Sequence, residues 1–464
     1  MRVAAFRKRL NNIENGGLTM NIPHIEHALD HIIAACQKKL SLLYPQGIPE
    51  PICNRYNKEL TLLSHSNYID DFEILRLLSE EAQKSSVPMH MRGTAMGSFI
   101  YYLLGVNCFN PLPVHYYCTD CGYYEEIHTH LFGIDLPSKK CPQCGKDITA
   151  DGFNLSPESV WGNDGKKIIS FDYTVSTEFF PFARRVLTSI YPNNPIIPWG
   201  MFQLEAGFLI PDNDEQIIGI TPAGYAVLPA GNTIQDYPDL ISYLEDGEPC
   251  ITGGGWELSV HLLKTIRLCP LDYIDELLSL QRATGIYTNE LTPNTLRDIT
   301  WSNIYNTTML NNTARILFHE MKPKTFKDMV DLNASSHSSF SWNKNAAGNI
   351  DFFYFQKMLS SDAFKKYPCF TREDFFDYLI EFGIERSLAF EAAEQIRKGY
   401  ASSSNKEQFD KLPIPDDIKK VARNYLYLFP RAHEIEYILL YAQFAYYAKI
   451  NSRAFSKIIF NKKN

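Results

Sequence analysis

The sequence predicts an α+β protein, and three observations carry that expectation. Residues 168–175 read IISFDYTV, a β-branched and aromatic run typical of a buried strand. The stretch TPAGYAVLPAG (221–231) is a second strand, bracketed by proline and glycine. From about Leu258 onward the pattern becomes mainly helical.

The remaining elements follow in chain order. Residues 24–45 place Ile25, Leu29, Ile32 and Ile33 along one helical stripe, and Asp71 to Lys84 repeats the pattern with Phe72, Ile74, Leu75 and Leu78. Pro88 to Gly97 reads as a strand running into a glycine-punctuated turn, and Ser98 to Gly105 as an apolar helix. In the helical part, a Ser-rich loop is expected near Asn333 to Ser341 and a polar linker over Ala401 to Lys411.

A length of 464 residues implies two to four packed units. Lys and Arg number 45 against 53 Asp and Glu, a net charge of -8. This excludes a histone-like or membrane-coating cation but leaves room for a local basic groove. The longest apolar stretch, Tyr437 to Ala448, is too short to span a bilayer and is broken by Gln443. The N-terminus lacks the apolar core of a secretory signal, and Met20 offers an alternative start. With ten cysteines and no export signal, a reducing, cytoplasmic compartment is expected, where thiols bind metals or stay free.

Four of the cysteines form a motif. Cys118 and Cys121, then Cys141 and Cys144, make two C-x2-C pairs separated by 19 residues. Two thiolate pairs supply four soft ligands at tetrahedral geometry, and Gly122 and Gly145 let each pair turn tightly. A site with no open position is structural, so a zinc ribbon is expected rather than a catalytic or redox centre. The other six, Cys36, Cys53, Cys108, Cys250, Cys269 and Cys369, are scattered among apolar neighbours and read as core.

Met91 to Ser98 (MRGTAMGS) feeds the helix FIYYLLG. A turn of this composition at a helix start offers backbone N–H groups to an anion, and Arg92 adds a forked donor. A plain capping turn explains the same residues at least as well. Gly253 to Gly255 reads as a flexible connection.

Ten separated stretches share one resemblance. RGTAMGS (92–98), YLLGVNCFNPLPVHYYCTDC (102–121), DLPSKKCPQCG (135–145), DGFNLSPESVWG (151–162), TPAGYAVLP (221–229), KPKTFKDMV (322–330), SHSSFSW (336–342), GIERSLAF (383–390), IRKG (396–399) and FPRAH (429–433) follow one order. In that order they resemble the polymerase core of the PolC-type alpha subunit of DNA polymerase III, the C-family replicative polymerase of Gram-positive bacteria. The resemblance implies a polymerase-beta-like nucleotidyltransferase palm with an inserted zinc ribbon and mainly helical fingers. It divides the chain into an N-terminal helical region (1–85), a first palm part (86–113), the ribbon (114–150), a second palm part (151–275), fingers (276–430) and a C-terminal helix (431–464). It further implies that Arg92, Gly93, Gly97 and Ser98 lie near an incoming triphosphate. Ser336, His337, Arg397, Lys398, Arg431 and His433 would face nucleotide or template.

The departures matter most. The family holds two metal ions with three aspartates, two of them alternating on one strand so that both point into the site. Here that strand reads Ser170-Phe171-Asp172, and only Asp172 remains. The third position is occupied by Arg267. The family's long basic fingers segment before Thr221 is largely missing, its HPGG reads TPAG, and its exonuclease, PHP, helix-hairpin-helix and clamp-binding segments have no counterpart here. Two-metal phosphoryl transfer needs carboxylates to hold both ions. At an effective dielectric of ~20, a guanidinium about 4 Å from a divalent ion costs roughly 8 kcal/mol. Zinc is therefore expected and Mg²⁺ is not, and the expected function is that of a pseudo-polymerase. Its expected partners are primer–template DNA, a nucleotide or a replication protein, with no membrane partner. A shortened polymerase with residual nucleotidyl transfer and a zinc-containing interaction module without DNA binding are the alternatives. Arg267 is expected to face Asp172 across adjacent strands.

Overall fold

The computed structural model describes residues 22–169, 171–204, 217–254, 258, 263–302, 310, 312–337 and 352–460. Among them run twelve strands: β1 (Met89–Arg92), β2 (His115–Tyr117), β3 (Tyr124–Glu126), β4 (Lys139–Lys140), β5 (Asp147–Ile148), β6 (Ala150–Asp151), β7 (Asp172–Val175), β8 (Ile196–Leu204), β9 (Ile217–Val227), β10 (Ile241–Tyr243), β11 (Pro249–Thr252) and β12 (Lys264–Pro270). The chain divides into two compact units. One comprises Met1–Ile32, Tyr68–Met91 and Phe171–Leu278, the other Ile33–Asn67, Arg92–Ser170 and Ser279–Asn464.

The first unit is built on a seven-stranded mixed sheet in the order β1-β7-β12-β9-β8-β11-β10. Strand β12 runs parallel to β7 and antiparallel to β9, and β9 forms a long hairpin with β8. Gly224 makes the β9–β12 contact possible. Its φ is +131°, and a Cβ there would lie 1.9 Å from the Ile266 carbonyl oxygen, so no other residue fits. One core cluster gathers Trp199, Ala226, Leu228, Ile251 and Leu263. The helix Ile69–Ser85 buries Phe72, Ile74, Leu75 and Leu78, the stripe read from the sequence. From that helix Asp71 reaches Lys264 of β12 at 2.9 Å.

The second unit is mainly helical. Its helix Arg431–Ile450 is buried over most of its length, and the helices Phe326–His337, Arg372–Glu381 and Arg386–Arg397 belong to the same unit. Inserted in it are a small sheet, β3-β2-β6, and the hairpin β4-β5. Among the described residues, no helix is long and apolar enough to cross a membrane.

Several local expectations change. The strand expected over 168–175 is shorter, because Ile168 is exposed and the strand begins at Asp172. The part after Leu258 is not helical at once, since β12 precedes the helix Asp272–Thr284. Asn333 to His337, read as loop, completes a helix, because the apolar Phe326, Met329, Val330 and Leu332 fix one buried stripe that continues through it. Residues 338–341 lie outside the described residues. The polar linker contains a helical turn, Lys406–Asp410, anchored by buried Phe409. Of the six scattered cysteines, Cys36, Cys250 and Cys369 are buried, whereas Cys53, Cys108 and Cys269 reach the surface.

Candidate functional site

Four places hold the residues singled out in the sequence. In the first unit, Leu268 registers with Tyr173 between parallel β12 and β7, so Arg267 and Asp172 are neighbours on one face. Arg267 Nη1 lies 3.1 Å from Asp172 Oδ1. Both side chains are partly open to solvent, at 39% and 25%. Gly224 and Trp199 stand on the same face by register. Ser170 lies outside the described residues.

In the second unit, the four cysteines converge. The Sγ atoms of Cys118, Cys121, Cys141 and Cys144 all lie within 4.8 Å of one another, with Cys118–Cys144 at 3.5 Å and Cys121–Cys141 at 3.6 Å. Tetrahedral zinc with Zn–S bonds of about 2.3 Å sets its sulfurs about 3.8 Å apart, so the donor set fits such an ion. The two knuckles repeat one geometry. Gly122 N donates to Cys118 O at 2.8 Å and Gly145 N to Cys141 O at 2.9 Å, with φ of +77° and +76°. Tyr116, Ile148 and Ala150 pack beside the sulfurs. Arg297 clasps the flanking chain, donating to the carbonyls of Gly133, Ile134, Leu136 and Ala150 at 2.6–3.1 Å.

The turn at 92–98 has an internal occupant. Ser98 caps the short helix Phe99–Leu103 and is fully buried. Its Oγ donates to Glu59 Oε2 at 2.7 Å, and the same carboxylate accepts from Phe99 N at 3.0 Å. Arg55 in turn donates to Glu59 at 2.5 Å and to Gly97 O at 3.0 Å. The amides that the sequence offers to an external anion therefore serve a carboxylate of the chain itself, and Gly97 is buried with them. Gly93, at φ +98°, opens the turn beside the half-buried Arg92.

The fourth place is a row of rings. Tyr427 and Phe429 lie 5.1 Å apart, Phe429 stacks on His433 at 5.0 Å and 12°, and His433 meets Tyr437 at 5.0 Å. Arg397 Nη1 donates to Tyr427 Oη at 3.1 Å at one end, and Arg92 Nη1 to Tyr437 Oη at 3.3 Å at the other. Three predicted residues, Arg92, Arg397 and His433, are thus brought together by Tyr427, Phe429 and Tyr437. All six are half-buried, and Lys398 beside them is exposed.

Arg431 is not part of this row. It is 3% exposed and its guanidinium holds Asp374 and Asp377, each at 2.8 Å. Ser336 donates to Asn333 O within its helix, and His337 closes that helix. Sequence reasoning missed Glu59, because a buried carboxylate on an amphipathic helix looks like any surface glutamate. It also missed the roles of Tyr427 and Phe429, although Phe429 opens the FPRAH stretch and Tyr427 stands two residues before it, a usable signal.

The Bacterial DNA polymerase III alpha NTPase domain family model matches residues 30–153, which include the four cysteines and the 92–98 turn. The PolC-type DNA polymerase III of Thermotoga petrophila is 24% identical over 92% of this chain and 34% of its own length. That of Caldanaerobacter subterraneus is 25% identical over 93% and 34%, and that of Bacillus subtilis 24% identical over 92% and 32%. The chain therefore spans about a third of the length of these curated relatives. The resemblance read from ten short stretches extends along nearly the whole chain, which is similar over that span to the PolC-type DNA polymerase III.

Proposed function

We propose that this chain is a catalytically degenerate relative of the PolC-type polymerase core, a pseudo-polymerase that binds nucleic acid without extending it. In this reading the seven-stranded sheet is the palm and the four cysteines hold a structural zinc. The observation that carries it is Arg267 ion-paired to Asp172, where the resemblance asks for a third metal-binding carboxylate. A guanidinium at that place repels divalent ions and neutralises the carboxylate that remains, so neither ion of a two-metal mechanism has its ligands. Binding is supported by the ring row with an arginine at each end, since aromatic faces stack on bases and guanidinium groups meet phosphates.

Primer extension with Mg²⁺ or Mn²⁺, beside anisotropy of a labelled primer–template, tests this. The expected result is a salt-dependent anisotropy shift with no extension. Extension that Asp172→Ala abolishes would establish residual nucleotidyl transfer instead. No shift and no extension would leave an interaction module.

A further inference from the structure

Three cations converge on one carboxylate beside the ring row. Glu394 is reached by Arg372 Nη1 at 2.6 Å, Arg397 Nη2 at 3.1 Å and Lys167 Nζ at 3.7 Å. A second carboxylate, Glu373, is buried and engaged by Arg372, by Ser159 Oγ at 2.9 Å and by Arg431 N at 2.7 Å. Two carboxylates thus serve three cations. Arg372 is sealed in the interior, so the surplus positive charge is presented at Lys167 and Arg397, whose side chains are each 19% exposed. Lys167 Nζ uses one donor on Ser159 O at 2.6 Å, and Lys398 extends the charge outward.

We propose that Lys167 and Arg397, aligned by Glu394, form a phosphate-binding subsite. The inference rests on the nucleic-acid reading above and names the contact by which a strand would be held. Forked guanidinium and ammonium donors suit the oxygens of a phosphate. Arg397 joins the two features, because the guanidinium that meets Glu394 also donates to Tyr427. A phosphate at Lys167 would therefore sit at the end of a row on which bases stack, the alternation that single-strand binders use. Nucleotide phosphates share this chemistry.

Burial, then the charge of Arg372, pushes the Lys167 ammonium down to about 7, with Glu394 and Glu373 opposing and Arg397 adding to the shift. An arriving phosphate supplies the counter-charge, so binding should draw a proton onto Lys167 and weaken as pH rises above neutrality.

The test uses the full chain and three probes: a dT12 oligonucleotide, dTTP and tripolyphosphate. For the oligonucleotide, whose diesters do not titrate here, affinity should fall several-fold from about pH 6.5 to about pH 8.5. Lys167→Met should weaken it about tenfold, abolish that pH dependence and reduce the slope of log K against log salt by about 0.7. Lys167→Arg should keep the slope and lose the pH dependence, which separates charge from folding. Equal slopes and affinities for wild type and Lys167→Met would overturn the subsite while leaving nucleic-acid binding intact. Lys167-dependent binding of dTTP and tripolyphosphate without oligonucleotide binding would support the subsite, assign it to nucleotides and overturn the strand reading. Binding of no probe would overturn both.

Discussion

Arg267 stands 3.1 Å from Asp172 across two parallel strands, so the carboxylate retained on β7 is answered by a cation of the same sheet. Because both side chains are partly solvated, the pair behaves as a screened surface bridge rather than a sealed one. Arg267→Ala should therefore lower stability to urea by at most about 1 kcal/mol. Arg267→Asp should do more chemically than mechanically. Two facing carboxylates should give Mn²⁺ affinity absent from the wild type, read as loss of the free Mn²⁺ resonance on titration. Equal free Mn²⁺ in both proteins would show that the face cannot hold an ion.

Glu59 is fully buried and binds Ser98, Phe99 N and Arg55 together. Glu59→Ala strands a hydroxyl, an amide and a guanidinium, a loss of about 3–5 kcal/mol for breaking a buried pair. Glu59→Gln keeps an acceptor and should cost clearly less. Urea midpoints of the two variants check the order.

The cysteine cluster should hold one zinc per chain, measured on protein purified without added metal, and a value near zero would refute it. Cys141→Ser should lower the melting temperature, because zinc binding is coupled to folding. Arg297→Lys should destabilise the same region by about 1–2 kcal/mol, since an ammonium cannot reach four carbonyls spread around a guanidinium.

Acid lability follows from two carboxylates. Burial alone would raise Glu158, but hydrogen bonds from Arg386 and Lys58 outweigh it and hold it at about 2. Glu394 is likewise held at about 2, burial being outweighed by the charges of Arg372, Lys167 and Arg397. A carboxylate whose folded pKa is depressed stabilises the fold above its unfolded value, near 4.5, and loses that contribution as pH falls towards 2. Unfolding free energy should thus drop steeply across that window. Glu158→Gln should flatten part of the slope, and an unchanged slope would show that its partners are not what holds it.

Legibility in the sequence followed the range of the interactions. The helical stripe at Phe72, Ile74, Leu75 and Leu78 and the two cysteine knuckles are local patterns, and both appear where expected. The Asp172–Arg267 neighbourhood was legible only through the resemblance, since 94 residues separate the two strands' partners along the chain and nothing local links them. The row from Arg397 to Arg92 was not legible at all as a unit. Its members come from three distant stretches and meet only through tertiary packing. Arg431 shows the converse: a basic residue in a suggestive motif whose burial among Asp374 and Asp377 was invisible in the string.

The carboxylate beneath Phe99 has a consequence for how this chain meets the ions around it. At the 92–98 turn a backbone nest is filled by Glu59, and on the sheet face Asp172 is filled by Arg267. At both places the protein supplies its own counter-ion from a covalently attached side chain, whose effective concentration no dialysis can change. Its shape there should be indifferent to whether magnesium or phosphate in the surrounding solution is scarce or abundant.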